Sequence, residues 1–388
     1  MGKRQFLDLA YSRQNYDNDF EKNFFDILLD PRQSETLNDA LSDAYNRSFI
    51  YDRFGVTYKL NRKKYKISLG AQYQISTLDG EITSVDQTIE KTYKNILPRI
   101  NFSYNFGNNT RTSINYSTSI REPSLSQLQP LLDNTDPLYV FQGNPDLDAA
   151  YSHRTEFDFS SYSSFSNISF FANANMTYTR DRITNAQFID ENFVQTITPV
   201  NVEDDYRWNG YAAFNAPLKF LDIKLGITQD FNISNSILFL NSIEDKVRRS
   251  QYGVSMNIEN RKKKKIDWLI GSRIGYSMAA YALSNNLNRD YFDQNYYTDI
   301  SSEFLKGWYF KTSFDYKIYS AEAVGKRTTI PLWRASLTKN FLKNEKGQLT
   351  LSAVDILNQN LGINRSNSLN YILDERVISL GRYIMLTV

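Results

Sequence analysis

Apolar and polar residues alternate with a period of two along most of this chain. In residues 167–178, Ile, Phe, Ala, Met and Tyr occupy the even positions, and mainly Asn, Ser and Thr occupy the odd ones. Because successive side chains of a β-strand point to opposite faces, this pattern predicts strands with one apolar and one polar face. We count about 16 such strands, most of them about ten residues or longer, as in barrels that cross a membrane.

The connections between these strands are alternately short and long. The short ones are residues 61–64, 107–109, 261–265, 306–307 and 343–346. The long ones are residues 16–45, 78–91, 121–150, 234–248, 320–331 and 358–375. An up-and-down barrel places every second connection on the same rim, and outer-membrane barrels have short periplasmic turns and long external loops. We therefore expect an all-β, antiparallel up-and-down transmembrane β-barrel in the cell outer membrane of a Gram-negative bacterium, with the C-terminus on the periplasmic, short-turn rim.

Aromatic residues near strand ends match the girdles that such barrels place at the membrane surface. They are Tyr206, Trp208, Trp268, Trp308, Tyr309 and Trp333. We expect the polar side chains opposite the apolar positions to face a wet or plugged lumen. They include Arg154, Glu156, Asp158, Asn173, Asn175, Lys311, Asp315 and Lys317. A soluble secreted all-β binding protein is the alternative, although a soluble sandwich has shorter strands.

Composition narrows the range of functions. The 388 residues include 27 Tyr and 25 Phe, but the mean hydropathy is −0.51. Cysteine is absent and His153 is the only histidine, so we expect no disulfide framework, no metal centre, no cofactor and no enzyme built on histidine. The net charge of +2 implies no nucleic-acid partner. Residues 203–205 could bind a cation, but an acidic rim loop is the simpler interpretation.

Several segments form a distinctive set of motifs: Arg121-Glu-Pro-Ser-Leu-Ser-Gln-Leu-Gln-Pro130, Gly143-Asn-Pro-Asp-Leu147, Trp333-Arg-Ala-Ser-Leu-Thr-Lys-Asn-Phe341, Leu349-Thr-Leu-Ser-Ala-Val-Asp-Ile-Leu-Asn358 and Arg382-Tyr383. Together they resemble the TonB-dependent-receptor-like outer-membrane barrels of Bacteroidetes. The resemblance implies a barrel of about 22 strands, preceded by a plug and a TonB-contacting segment. Residues 1–388 would then be the C-terminal part of the barrel domain, with the signal peptide and plug domain absent. The full protein would meet the plug and the TonB complex through its N-terminal part.

The proline-rich loop at residues 121–147 is the candidate ligand-binding element. Arg121, Tyr139 and Phe141 are candidate contacts for a ligand caught at the external rim. The two aromatic side chains could instead only fix the loop to the barrel wall. We identify no catalytic, cofactor-binding or metal-binding residue.

The function expected from this reading is uptake of a bulky nutrient, such as a siderophore, peptide or glycan, by a TonB-dependent outer-membrane receptor. The other partners would be outer-membrane lipid and lipopolysaccharide. The alternative is an outer-membrane barrel without energy-coupled transport, such as a passive channel, an adhesin or a scaffold.

Overall fold

The fold was analysed in a computed structural model of the chain. It describes residues 4–23, 25–26, 36–38, 42–82, 87–129, 132–136, 138–203, 205–262, 265–320, 328–341, 346–360, 363–367, 372–376 and 380–388. No helix in this part of the chain is long and apolar enough to cross a membrane.

Strands make up nearly all of the described chain. The first elements are β1 (Gln5–Lys22), β2 (Phe25–Asp26), β3 (Thr36–Leu37), β4 (Asp43–Asn61), β5 (Tyr65–Ile82), β6 (Gln87–Gly107), β7 (Thr110–Arg121), helix α1 (Leu125–Leu128), β8 (Leu132–Asp136) and β9 (Tyr139–Gln142). The middle elements are β10 (Ala150–Ser163), β11 (Ile168–Arg180), β12 (Arg182–Ile189), β13 (Gln195–Val202), β14 (Asp205–Leu218), β15 (Ile223–Leu240) and β16 (Ile243–Asn260). The last are β17 (Ile266–Tyr281), a 3₁₀ turn (Asn285–Leu287), β18 (Arg289–Leu305), β19 (Trp308–Tyr319), β20 (Thr328–Phe341), β21 (Gly347–Val354), β22 (Ile363–Asn367), β23 (Ile372–Arg376) and β24 (Tyr383–Thr387).

Twenty of these strands form one sheet. Sixteen of the twenty follow one another as an antiparallel meander, which we call the wall; the other four, β8, β9, β12 and β13, lie in connections. The wall strands are β1, β4 to β7, β10, β11, β14 to β21 and β24. The predicted antiparallel up-and-down arrangement is confirmed. Among the described residues no ladder joins β1 to β24, so the sheet is open between these two edges.

The wall has one polar and one apolar face, as the alternation predicted. Asp158 of β10 lies opposite Asn173 of β11, whereas Phe157 lies opposite Ala174 on the other face. The apolar face is solvent-accessible: Ile96 is 64% exposed and Val254 is 49% exposed. The predicted lumen-facing set lies on the polar face. Apolar side chains left uncovered in this way suit a hydrocarbon environment rather than the interior of a sandwich.

Short turns form at residues 61–64, 107–109 and 306–307, as predicted, whereas residues 263–264 and 343–345 of the two other predicted turns lie outside the described residues. Asn108 and Asn109 adopt φ values of 52° and 57°, and Gly107 adopts 91°, as a tight hairpin turn requires. The wall thus reverses within a few residues at what we call the short-turn rim.

At the opposite rim, which we call the long-connection rim, several predicted loops are strands. The predicted loop at residues 234–248 is the paired continuation of β15 and β16, which turn only at Asn241 and Ser242. In the same way β5 continues to Ile82 and β6 begins at Gln87. The loop prediction was wrong because alternation disappears above the membrane, where both faces meet water, while the backbone ladder continues.

Residues 181–205 also depart from the prediction. The apolar residues between Phe193 and Phe214 predict a strand that begins near Phe193, but Phe193 lies in the turn between β12 and β13 with a φ of 64°. This hairpin pairs in parallel with the tip of β15 on one side and with β9 on the other. Additional strand pairing therefore links the connections at the long-connection rim.

Candidate functional site

The connection at residues 121–147 folds onto the polar face of the wall. Prolines in this connection disfavour a regular helix, but it contains the single-turn helix α1. Ser124 caps α1: its hydroxyl accepts from the Gln127 amide and its own amide donates to the Gln127 side chain at 3.0 Å. A buried apolar cluster holds the connection in place. Its members are Leu125, Leu128 and Leu147 from the connection and Phe49, Leu78 and Ile89 from β4 to β6.

Glu122 fastens the start of this connection to β5. Its Oε1 accepts from the Ser76 hydroxyl at 2.6 Å and from the Gln74 amide at 3.0 Å. Gln74 and Ser76 are both buried. A carboxylate that accepts two buried donors is a strong, directional anchor. The connection is therefore held by a polar lock as well as by its leucines.

The polar lock continues into β4 and β1. Arg53 donates from Nε to the Gln74 side-chain oxygen at 2.8 Å and from Nη1 to the Gln14 side-chain oxygen at 3.1 Å. Its guanidinium also lies 4.9 Å from the centre of the Tyr51 ring. Each of its hydrogen-bonded acceptors is a neutral amide oxygen.

Of the three predicted ligand contacts, Arg121 lies in β7 and the two aromatic residues lie in β9, all at the long-connection rim. Arg121 ends β7 and is exposed, opposite Ala150. Tyr139 is 56% exposed in β9, and Phe141 is half-buried between Asp133 of β8 and Ile197 of β13. No hydrogen bond or ring contact between described residues joins Arg121 to either aromatic side chain. Their role in ligand binding stays a prediction.

The polar faces of β4 to β7 are strongly basic. We call residues 47–61, 66–80, 89–105 and 111–121 the basic segment. Its polar-face positions hold eight basic and no acidic side chains. The eight are Arg47, Arg53, Lys59, Lys66, Lys91, Arg99, Arg111 and Arg121.

Three arginines of the basic segment bind only neutral acceptors in the described part of the chain. Arg99 donates to the Thr57 hydroxyl at 2.7 Å, and Arg111 donates to the Ser160 hydroxyl at 3.1 Å. Arg53 binds the two amide oxygens described above. These guanidinium groups therefore have neutral partners in place of carboxylates.

The polar faces of β15 to β19, which we call the mixed segment, carry both signs of charge. The acidic side chains are Asp230, Asp245, Glu259, Asp267, Asp293, Asp299, Glu303 and Asp315, and the basic ones are Lys224, Arg249, Arg273, Arg289, Lys311 and Lys317. Arg273 grips Asp230 with two parallel hydrogen bonds of 2.8 and 3.0 Å. Lys224 binds Glu259 at 2.9 Å.

Other candidate positions have structural partners. His153 lies on the apolar face, where its Nδ1 is 2.8 Å from the Tyr116 hydroxyl. Asp205 forms an ion pair with Arg182, and Asp204 lies outside the described residues. No cluster of three or more potential metal-binding side chains occurs in the described ranges.

Sequence reasoning missed Glu122, Arg53, Arg99 and Arg111 as candidate functional residues. Their signal was present in the strand alternation, because all three arginines occupy polar-face positions. Counting the sign of charge on those positions, hairpin by hairpin, would have revealed the basic segment. Glu122 carried no comparable signal, since its partners Gln74 and Ser76 are 48 and 46 residues away.

We compared the chain with known protein families, curated proteins and solved structures. A sequence profile of the outer membrane protein beta-barrel family matches residues 7–388. No curated protein sequence matches the chain. Among solved structures, OmpT of Vibrio cholerae, an outer membrane protein folded in vitro, is 9% identical with a TM-score of 0.28, covering 81% of this chain and 87% of OmpT. OccK5 of Pseudomonas aeruginosa is 10% identical with a TM-score of 0.24, covering 100% of this chain and 99% of OccK5.

Structural similarity at those scores supports no conclusion about this chain. The profile match covers nearly the whole sequence, and it agrees with an antiparallel wall that has one apolar, accessible face and one polar face. The chain belongs to the outer membrane protein beta-barrel family.

Proposed function

We propose that this chain is the barrel wall of a receptor that takes up a bulky nutrient, such as a siderophore, peptide or glycan, by TonB-dependent transport. The observation that carries the proposal is the connection at residues 121–147, which Glu122 and three buried leucines hold against the polar face. In a closed outer-membrane barrel the polar face lines the lumen. The connection then occupies the mouth of that lumen, where an entering ligand meets it first.

Ligand capture is assigned to the exposed part of this mouth. Tyr139 offers an accessible aromatic ring, and Arg121 offers a guanidinium at the end of β7. Phe141, two residues after Tyr139, is half-buried. Rigid aromatic side chains and arginines are common anchors in recognition surfaces. We assign no catalytic activity to these residues.

The proposal also fixes an orientation and partners. The long-connection rim faces the exterior, and the short turns and C-terminus face the periplasm. The apolar face meets outer-membrane lipid and lipopolysaccharide. A plug domain and the TonB complex act through a part of the protein N-terminal to this barrel wall, as in the Bacteroidetes receptors that the motifs resemble.

The second candidate is a passive channel. It is favoured by the continuous polar face, which carries charged side chains from the Glu122 lock to Arg111 near the short-turn rim. A water-filled pore needs such a lining along its whole length. An adhesin or scaffold needs neither a polar lumen nor energy coupling.

Genetics in the source bacterium separates these candidates. Strains lacking this gene, or lacking TonB, are grown with a ferric siderophore, an oligopeptide or a glycan as the sole source of iron, nitrogen or carbon. TonB-dependent uptake predicts that both deletions abolish growth on the same nutrient. Growth that needs this gene but not TonB indicates a passive channel. Growth that needs neither on all three nutrients indicates an adhesin or scaffold.

Orientation has its own test, because the chain contains no cysteine. Single-cysteine variants Asn192→Cys, in the exposed β12–β13 turn, and Ser164→Cys, in an exposed short turn, are treated on whole cells with a membrane-impermeant maleimide. We expect labelling of the first variant only. Labelling of Ser164→Cys alone would reverse the orientation.

A further inference from the structure

We propose that the basic segment is a binding surface for anionic solutes, recognising carboxylate or phosphate groups in the lumen through Arg53, Arg99 and Arg111. This inference deepens the proposed function, and rests on it, by naming the substrate class: a ligand that carries several oxyanion groups.

The three arginines have side chains suited to binding oxyanions. A guanidinium presents a planar fork of donors that matches the oxygens of a carboxylate or phosphate. In the basic segment each fork is only partly used, on amide or hydroxyl oxygens. Gln74 stands between Arg53 and the Glu122 carboxylate and binds both. A solute anion would therefore meet donors that no carboxylate of the described residues occupies.

The basic segment carries an excess of positive charge. The polar-face positions of the basic segment hold eight basic and no acidic side chains, and Glu122 adds one carboxylate beside them, whereas the mixed segment has six basic and eight acidic side chains. Asp8 of β1 neutralises Lys59, which leaves the excess on the other positions. A surface of one sign raises the local concentration of the opposite ion, most strongly inside a cleft with low-dielectric walls.

The basic segment also borders a cavity that could hold a solute. A cavity of about 650 Å³ opens at the short-turn end of the basic segment. Lys66 and Arg111 line it together with Tyr211 and Asn173. Its one described carboxylate, Asp158, accepts from Asn173 at 2.7 Å and from Ser113 at 3.4 Å, so its oxygens already have partners. The cavity is large enough for a solute of several carboxylate groups.

Gly70 leaves room for the Arg99 side chain. A Cβ atom on Gly70 would lie 2.9 Å from Arg99 Nε and 2.8 Å from the Thr57 hydroxyl. The absence of a side chain at Gly70 therefore lets the guanidinium lie across the strand, midway between Arg53 and the cavity end of the segment. The three arginines thus form a line of positive charge along the lumen wall.

The test is equilibrium binding to the full gene product, extracted from the outer membrane and purified in detergent at low salt. Citrate and inorganic pyrophosphate serve as separate probes in titration calorimetry, one for carboxylate and one for phosphate recognition. The variant Arg53→Gln, Arg99→Gln, Arg111→Gln removes the line of charge. The matched control, Arg273→Gln with Lys224→Gln and Lys317→Gln, removes the same number of positive charges from the mixed segment.

We expect saturable binding of at least one probe, weakened about tenfold or more in the basic-segment variant and less than about twofold in the control; tenfold equals about 1.4 kcal/mol. A triple Lys replacement, which keeps the charge, is expected to retain most of the binding. If the Gln triple variant fails to fold, the three single Gln variants replace it, each with about a threefold loss. Absence of saturable binding for both probes, or equal losses in basic-segment variant and control, overturns the proposal.

This experiment is independent of transport. Citrate or pyrophosphate binding needs neither TonB nor a plug, so binding that depends on the basic segment in a protein that supports no uptake would retain the surface and refute the transport function. Uptake without anion binding would retain the transport function and refute the anion-binding surface.

Discussion

The basic segment and the mixed segment use the same strand geometry but treat charge differently. In the mixed segment Arg273 and Lys224 each meet a carboxylate across the ladder, at 2.8 and 2.9 Å. In the basic segment Arg53, Arg99 and Arg111 meet amides and hydroxyls instead. Alternation decides which face a residue occupies, while the sign of its charge is free to vary. The difference shows that one wall can contain both a surface with carboxylate–cation pairs and a surface suited to an anionic ligand.

The two segments also end differently at the long-connection rim. The basic segment is covered there by the leucine cluster of residues 121–147, whereas the tip of the mixed segment is closed by a carboxylate. Asp245 of β16 accepts from the Leu283 amide at 2.9 Å and from the Ser284 amide at 3.0 Å. We call the leucine cluster the apolar cover and the Asp245 hydrogen bonds the polar clip. We expect the two to respond to different changes.

The largest expected effect is on the apolar cover. Leu128 is fully buried, so Leu128→Ala should destabilise the packed connection by about 2–5 kcal/mol through lost burial and an unfilled cavity. Hydrogen exchange across residues 121–147 should accelerate, while exchange in β15 and β16 stays unchanged. Leu138→Ala, at a residue 54% exposed in the same connection, is the control and should have little effect. Unchanged protection in Leu128→Ala would contradict the packing of the cover.

The polar clip should show a smaller, pH-dependent effect. Burial alone raises the pKa of the Asp245 carboxyl, but hydrogen bonds from Leu283, Ser284 and Ala282 lower it below its ordinary value of 3.8. Because the folded pKa is lowered, the stabilisation is present above pH 3.8 and disappears as the pH falls through the folded pKa. Asp245 lies beyond the roughly ten residues that cross the hydrocarbon.

Asp245→Asn should therefore cost about 1–3 kcal/mol at neutral pH. The loss would appear as faster hydrogen exchange of residues 282–287. The variant should match the unmodified protein once the pH is well below 3.8. Glu244→Gln, at the exposed neighbouring position, is the control. Equal exchange of Asp245→Asn and the unmodified protein at neutral pH would exclude the clip.

A third change should turn part of the mixed segment into a basic surface. Asp230→Asn removes the carboxylate that occupies the Arg273 fork, at a stability cost of about 1 kcal/mol or less for a half-exposed pair. We expect citrate affinity in the purified protein to rise, because the Arg273 guanidinium loses its carboxylate partner and keeps, among the described residues, only the hydrogen bond to the Ser255 hydroxyl, at 3.3 Å. Asn232→Asp, on the same strand and face, is the control and should lower the affinity. A rise in both variants would show that the pairing of Arg273 is irrelevant.

The smallest expected effect sharpens the comparison at one position. Gly70→Ala should displace Arg99 and weaken citrate binding about threefold, which equals about 0.6 kcal/mol. Gly55→Ala is the control, because its added Cβ would meet the flexible Gln72 side chain at 3.3 Å rather than a guanidinium. Identical affinities in the two variants would remove Arg99 from the binding surface.

Much of the wall was predictable from the sequence because strand alternation is a local signal. The apolar positions of residues 167–178 predicted both the strand and its lipid-facing side, and the positive φ values at Asn108 and Asn109 followed from turn chemistry. The β12–β13 hairpin was not predictable in this way, since it lies among the connections and has no membrane-facing side to impose alternation.

The sequence by itself determined the all-β class, the two faces of the wall and the positions of the short turns, because each depends on residues close together in the chain. Only the tertiary structure decided that Glu122 binds Ser76 and Gln74, that Arg273 binds Asp230 whereas Arg99 binds the Thr57 hydroxyl, and that three leucines cover one end of the basic segment. Those partners come from strands up to 48 residues apart in the first case and 43 in the second, so strand order and register had to be known before they could be identified.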